Sequence, residues 1–320
     1  MNKGTFVKDI TQDHARINDY FIVVKKGTYS TKNNKRFIGL SLRDRTGSIE
    51  AKIWDERVDH LKNRFEENDL VYVESRVESY QGKFQLIIED ARKEETLLPE
   101  LIRDFFPVSE RSDAELHKTY EGLVKEIRDP HLQSLFGVLN RRQDILKRFF
   151  LFPASIGVHH MYIGGLAEHS LSMAGMGRQI AAYVGGDVDL VTAGCLLHDI
   201  GKIEEMTIGS SFKYSDRGRL LGHITLGVMI LEELIKEIPG FPDTIADILS
   251  HIIISHHGVE EWGSPRKPMC IEAIMVHYLD NLDAKVMGVK EHMKENMADE
   301  KWTEYHRLYE SKFYKIPENG

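Results

Sequence analysis

The alternation of hydrophobic and polar positions along this 320-residue chain changes period once, near residue 95. Before that point the period is two. The segments INDYFIVVKKGTYS, RFIGLSLRD, GSIEAKIWD, DLVYVESRVESY and KFQLIIEDARK, between about residues 17 and 92, are rich in Val, Ile, Tyr and Phe. Leu40 and Leu42 alternate with polar neighbours, and Val71 and Val73 alternate with Tyr72 and Glu74. Such alternation predicts half-buried strands. Turn-forming runs (KNN, DRTG and YQGK) separate them. Between the third and fourth segments, DERVDHLKNRFEEND places Val58, Leu61 and Phe65 at helical spacing. Three strands, a short helix and two more strands is the order of a five-stranded OB-fold β-barrel.

From about Glu94 to Ser112 the period is lost and Pro99 and Pro107 interrupt the chain, which predicts a linker over residues 96–112. After Asp113 apolar residues recur every three and four positions, in ELHKTYEGLVKEI, HLQSLFGVLN, QDILKRFFLF, GLAEHSLSMAGMGRQIAAYV, VDLVTAGCLLHDIGK, HITLGVMILEELIKEI, DTIADILSHIIISHH and IEAIMVHYLDNLDAKVMGV. The expected architecture is multi-domain: a barrel over residues 1–95, then an all-α helical bundle over 113–320. There is no internal repeat.

Composition narrows the setting. The 42% hydrophobic and 29% charged residues are ordinary for a water-soluble globular protein. No apolar run is long enough to span a bilayer, and MNKGTFVKDITQDH lacks an apolar signal core. The two cysteines are Cys195, in the apolar run AGCLLHD, and Cys270. A cytoplasmic protein is expected. The net charge of −8 argues against coating nucleic acid by bulk charge. Yet from Tyr20 to Arg43 the charged residues are all basic: Lys25, Lys26, Lys32, Lys35, Arg36 and Arg43. Charge alone fits a solvated hairpin as well as a phosphate-tracking strip. Phe37 lies inside this stretch, Tyr29, Tyr80 and Phe84 sit near turns, and Trp54 is in a strand. Aromatics on such barrels either stack on bases or fill the core. Lys25, Lys26, Lys35, Arg36 and Phe37 are the candidate strand-binding residues.

The chemistry lies in the helical half. His169 is followed by the pair His198–Asp199, then His223, the pair His256–His257, and Asp280. All are metal-ligand types set in apolar helical stretches, where an unpartnered imidazole or carboxylate is costly to bury. Gly201 and Gly258 follow the two pairs as helix-end signals. Asp283, one turn after Asp280, is expected behind the ligands rather than among them. A lone histidine on an apolar helix is usually a hydrogen-bonded core residue; the conjunction points instead to a metal-dependent hydrolase. So many imidazoles favour Mn, Co, Fe or Zn over Mg.

The order His169, His198–Asp199, Asp280 resembles the H…HD…D motif of the HD-domain superfamily of metal-dependent phosphohydrolases. The intervening histidines resemble its two-metal branch, and the string HDIGK its phosphodiesterase-like members. This resemblance implies that Asp199 bridges two divalent transition-metal ions. His169, His198 and Asp280 would complete one site, and His223, His256 and His257 the other. HHMYIGGLAEHSLSMA (159–174), ISHHGVEEWGSPRKP and EAIMVHYLDNLDAK further resemble blocks of the YhaM family of 3′→5′ exoribonucleases. The likeness covers nearly the whole chain, although residues 95–145 carry no motif. It implies hydrolysis of single-stranded RNA, with single-stranded DNA also open, to nucleoside 5′-monophosphates, with manganese the foremost metal. Asp199 and Lys202 are the expected catalytic residues, Lys202 on the scissile phosphate. His160, Arg217 and Arg219 are candidate substrate contacts. Two other readings stay open: a phosphodiesterase or phosphatase for a small nucleotide, and a nucleic-acid-binding protein whose HD domain is inactive. The barrel speaks against the first and the complete ligand set against the second.

Overall fold

The computed structural model of the chain describes residues 3–11, 14–31, 33–94, 101–156, 162–296 and 301–316. The chain forms two compact units, residues 1–108 with 208–213, and residues 109–207 with 214–320.

The first unit is the expected barrel. Strands β1 (Arg16–Ser30), β2 (Arg36–Asp44), β3 (Gly47–Trp54), β4 (Leu70–Tyr80) and β5 (Lys83–Glu94) close in the order β1-β2-β3-β5-β4. All pairings are antiparallel except β3 with β5, so the sheet is mixed. The two-residue period sets the inside. Ile38, Leu40 and Leu42 of β2 point inward with Phe21 and Val23 of β1, Val71 and Val73 of β4, and Leu86 and Ile88 of β5. Each fully buried side chain of this size contributes about 1.5–3 kcal/mol. Helix α1 (Asp55–Leu61) adds Val58 and Leu61 to the same core. Two inward carboxylates fasten the N-terminal segment: Asp19 accepts from the amides of Gly4 and Thr5, and Asp44 from that of Val7. The Lys3 ammonium, 3.4 Å from Asp44, balances their charge.

The range expected as a linker is more ordered than its prolines suggest. Leu101, Ile102, Phe105 and Phe106 are buried, on and beside helix α2 (Ile102–Phe105), and residues through 108 belong to the barrel unit.

The second unit is helical: α3 (Asp113–Lys125), α4 (Pro130–Arg141), α5 (Gln143–Leu151), α6 (Gly165–Val184), α7 (Val188–Leu197), α8 (Lys202–Glu205), α9 (Asp216–Lys236), α10 (Asp243–Ser255) and α11 (Ile271–Glu295). Ser112 and Glu115 form a reciprocal capping box that starts α3. Asp129 before Pro130 caps α4 in the same sense. Helix α7 carries the apolar run AGCLL and packs against α6, α10 and α11, which bury it on all sides. The periodicity did not reveal a two-stranded sheet, β6 (Met206–Ile208) with β7 (Phe212–Tyr214), nor the first turn and a half of α9. Three-residue strands are too short to show a period. Among the described residues no helix is long and apolar enough to cross a membrane.

Candidate metal centre and strand-binding face

Five helices deliver the metal-ligand residues to one place. His169 lies in the second turn of α6; His198 caps the C-terminus of α7, and Asp199 follows in the turn before α8. His256 caps α10, with His257 next and Gly258 at φ +77° ending the helix. Asp280 is in the third turn of α11. His223 depends on a break. At Gly222 (φ 69°, ψ 156°) the backbone leaves the helical region, which a side chain would oppose, and a fresh helix starts at His223. Glu205 anchors the restart, accepting from the His223 backbone amide at 3.0 Å and meeting His223 Nδ1 at 3.1 Å.

The groups converge as two sets, His169 with His198 and Asp280, and His223 with His256 and His257. Asp199 stands between them. Its Oδ2 is 3.3 Å from His198 Nε2 and 4.0 Å from His169 Nε2. Its Oδ1 is 3.5 Å from both His223 Nε2 and His256 Nε2. Two ligand atoms about 2.1 Å from one ion, at ordinary bond angles, lie roughly 3.0–3.4 Å apart. Three of these separations are in or near that range, and the His169 pair, at 4.0 Å, is wider.

Outer hydrogen bonds orient the rings. His198 Nδ1 donates to the Cys195 carbonyl and His256 Nδ1 to the Ile253 carbonyl, both at 2.8 Å. A carbonyl only accepts, so the proton of each neutral ring is on Nδ1 and the Nε2 lone pair faces inward. His169 Nδ1 meets Asp283 at 2.7 Å, and Ser172 donates to the other oxygen of that carboxylate. Asp283 therefore stands behind the candidate ligand His169. The result is acceptors facing acceptors. The Nε2 atoms of His198, His223 and His256 and Oδ1 of Asp199 are all buried without a hydrogen-bond partner. Each such group costs about 1–3 kcal/mol, so four together cost roughly 4–12 kcal/mol, comparable with the net stability of a whole domain. A cation among them reverses the sign of that balance. The residues present fit divalent metal.

The protein's own charges show the same pull. Burial pushes His256 down to about 3, toward the neutral imidazole a metal requires. Burial acts likewise on His169, but the carboxylates of Asp280 and Asp283 outweigh it and raise the ring to about 9. Asp199 is held well below the usual carboxylate range: burial opposes its charge, and Lys202 and the surrounding histidines override the penalty. The Lys202 ammonium lies 2.6 Å from Asp199 Oδ2.

The other expected contacts divide. Arg217 is exposed and within 3.6 Å of Glu204, and Arg219 is exposed on α9. His160 and Lys32 lie outside the described residues. Lys26 is not a free phosphate contact: its ammonium donates to the Lys62 and Phe65 carbonyls and pairs with Glu66, so only 11% of the side chain is exposed. Arg36 is tied to Asp59 at 2.9 Å and Asp55 at 3.4 Å. A run without acids in sequence still meets acids folded against it from α1. Lys25 and Lys35 are exposed. Sequence reasoning missed Glu205. Two adjacent glutamates follow Lys202, and nothing in the string says that Glu204 pairs with Arg148 while Glu205 reaches His223.

The barrel carries an aromatic row on its outside. Tyr29 stacks on Phe37 with centroids 5.5 Å apart, and Phe37 lies 5.2 Å from Trp54. The register explains it, since Tyr29, Phe37 and Trp54 are directly opposed on β1, β2 and β3. Gly27 and Gly39, also a cross-strand pair, clear the space for the Tyr29 ring, because a Cβ on Gly27 would fall 2.6 Å from its hydroxyl. Lys52 holds its ammonium 5.8 Å from the Phe37 and Trp54 rings and 4.8 Å from Tyr80. Tyr29, Trp54, Tyr80 and Phe84 are exposed, not core.

Residues 166–285 match the HD domain family and residues 22–94 the OB-fold nucleic acid binding domain family. Fold and site thus define a protein that joins an HD-type phosphohydrolase unit to a nucleic-acid-binding barrel. The chain is 33% identical over 318 residues to the 3′-5′ exoribonuclease YhaM of Bacillus subtilis, covering 98% of each chain. It is 32% identical to the protein of that name from Bacillus velezensis, again over 98% of both. The chain belongs to the YhaM family of 3′-5′ exoribonucleases.

Proposed function

We propose that the chain shortens single-stranded RNA from its 3′ end, releasing nucleoside 5′-monophosphates, with two divalent transition-metal ions held by the His/Asp centre. The observation that carries this reading is Asp199, whose two oxygens face separate histidine sets across orphaned buried atoms. His169, His198 and Asp280 would hold one ion, His223, His256 and His257 the other, and Asp199 both. Such ions supply an activated water and neutralise the charge that grows on the phosphoryl oxygens. The histidines present fixed lone pairs, so little reorganisation accompanies the reaction. Lys202, whose ammonium lies 2.6 Å from Asp199 Oδ2, would add a positive charge next to a phosphate held at the centre. In the reaction the bond from phosphorus to the 3′ oxygen breaks as water oxygen adds, and the leaving oxygen takes up a proton.

On the barrel, Tyr29, Phe37, Trp54 and Tyr80 offer successive π-faces for unpaired bases, with Lys25, Lys35 and Lys52 on the backbone. Such stacking contributes about 1–3 kcal/mol per base and tolerates any sequence. A small nucleotide has no use for a row of this length, which favours a strand as substrate. The test is a time course with manganese on RNA labelled at the 5′ end. A ladder receding from the 3′ end, with mononucleotide as product, is expected. Cleavage confined to small or cyclic nucleotides, or none at any metal concentration, overturns the reading.

A further inference from the structure

Helix α11 has two working faces. One carries Asp280 and Asp283 to the metal centre. The other carries Ile271, Ile274, Tyr278, Leu282 and Val286, 42–67% exposed, in a stripe at helical spacing. Ile180 and Val184 of α6 extend the stripe beside a groove of about 370 Å³. At roughly half exposure, seven side chains of this size present on the order of 700 Å² of apolar surface. The largest patch on a typical monomer is about 300–600 Å².

We infer that this face joins two copies of the chain through antiparallel α11 helices, on a two-fold axis passing by Tyr278. Two observations select a second copy. The stripe is self-complementary about Tyr278: Ile274 and Leu282 lie four residues to either side, so Ile274 of one copy meets Leu282 of the other and the reverse contact repeats, as a two-fold interface demands. Finally, the patch on both copies amounts to about 1,400 Å², inside the ~1,200–2,000 Å² of stable protein interfaces. The metal centres then lie on the outer sides of the paired helices, back to back.

Analytical ultracentrifugation of the full chain at micromolar concentration is expected to give twice the chain mass. Ile274→Asp alone and Leu282→Arg alone should each give monomers, and their equimolar mixture should regain dimer, because the aspartate of one then meets the arginine of the other. Both positions are exposed, so folding is checked simply by unchanged helix content. As an independent measure, Tyr278→Cys in a Cys270→Ser background should cross-link to itself under mild oxidation, since position 278 sits on the axis. A monomeric parent chain overturns the inference, whether the face then carries the chain's own barrel or a different protein. So does a dimer that survives both single substitutions, or a mixture that stays monomeric.

Discussion

Replacing Glu205 by Gln tests how the fold prepares one half of the metal centre. The Glu205 carboxylate is buried, and one of its oxygens serves both the backbone amide and Nδ1 of His223. Gln keeps the volume and an acceptor oxygen but removes the charge. Hydrogen bonds to charged groups contribute about 1.5–3 kcal/mol, against about 0.5–1.5 for neutral pairs, so the change costs on the order of 1–2 kcal/mol. The loss falls on the geometry and basicity of His223, hence on the ion it would help hold. Outer partners of metal-bound histidines are typically worth 10–100-fold in affinity, which agrees in size. The fold should persist, because the Glu205 carbonyl that accepts from Ser215 at 2.9 Å is untouched. Calorimetric titration of metal-stripped protein with manganese should show one class of site weakened 10–100-fold and the other unchanged, with hydrolysis restored by added metal. Unchanged affinity for both classes refutes the argument. Equal weakening of both shows that Glu205 supports the centre as a whole rather than His223.

Asp199→Asn should reduce RNA hydrolysis by at least ~100-fold, with both classes of bound metal lost together in elemental analysis; loss of only one would remove Asp199 from the bridging role. His169 in the metal-free protein is held protonated up to about pH 9. A metal entering its set at pH 7 should therefore expel about one proton, and apparent affinity should climb roughly tenfold per pH unit before levelling near pH 9. Calorimetry in buffers of different ionisation enthalpy measures this, and a pH-independent affinity contradicts it. Tyr29→Ala and Trp54→Ala should each weaken single-stranded RNA binding by about 1–3 kcal/mol in fluorescence anisotropy while cleavage of a small phosphodiester such as bis-p-nitrophenyl phosphate is unchanged; full binding in both variants puts the strand elsewhere.

The parts legible in the sequence were those whose cause is local. Alternation in β2 follows from one face being buried, so Ile38, Leu40 and Leu42 announce the barrel. The candidate ligand residues stand out because they are polar side chains set in apolar helices. What stayed hidden depends on long-range register. Lys26 and Arg36 look free until α1 brings Asp55 and Asp59, and the turn after it Glu66, against them. Tyr29, Phe37 and Trp54 become one surface only through cross-strand pairing. Glu205 acquires its partner because the backbone restarts at Gly222, seventeen residues further on, and no periodicity encodes that return.

The wide spacing of the metal-binding groups also sets an order of events during synthesis. The fifth strand of the barrel is made once Glu94 has been added, whereas Asp280 appears about 190 residues later, roughly 10–40 s at ~5–20 residues per second. No fragment that stops short of α11 holds the set of His169, His198 and Asp280, because His169 and Asp280 meet only when α6 and α11 pack together. A growing chain thus carries all five strands of the barrel well before the groups of the candidate metal centre can meet.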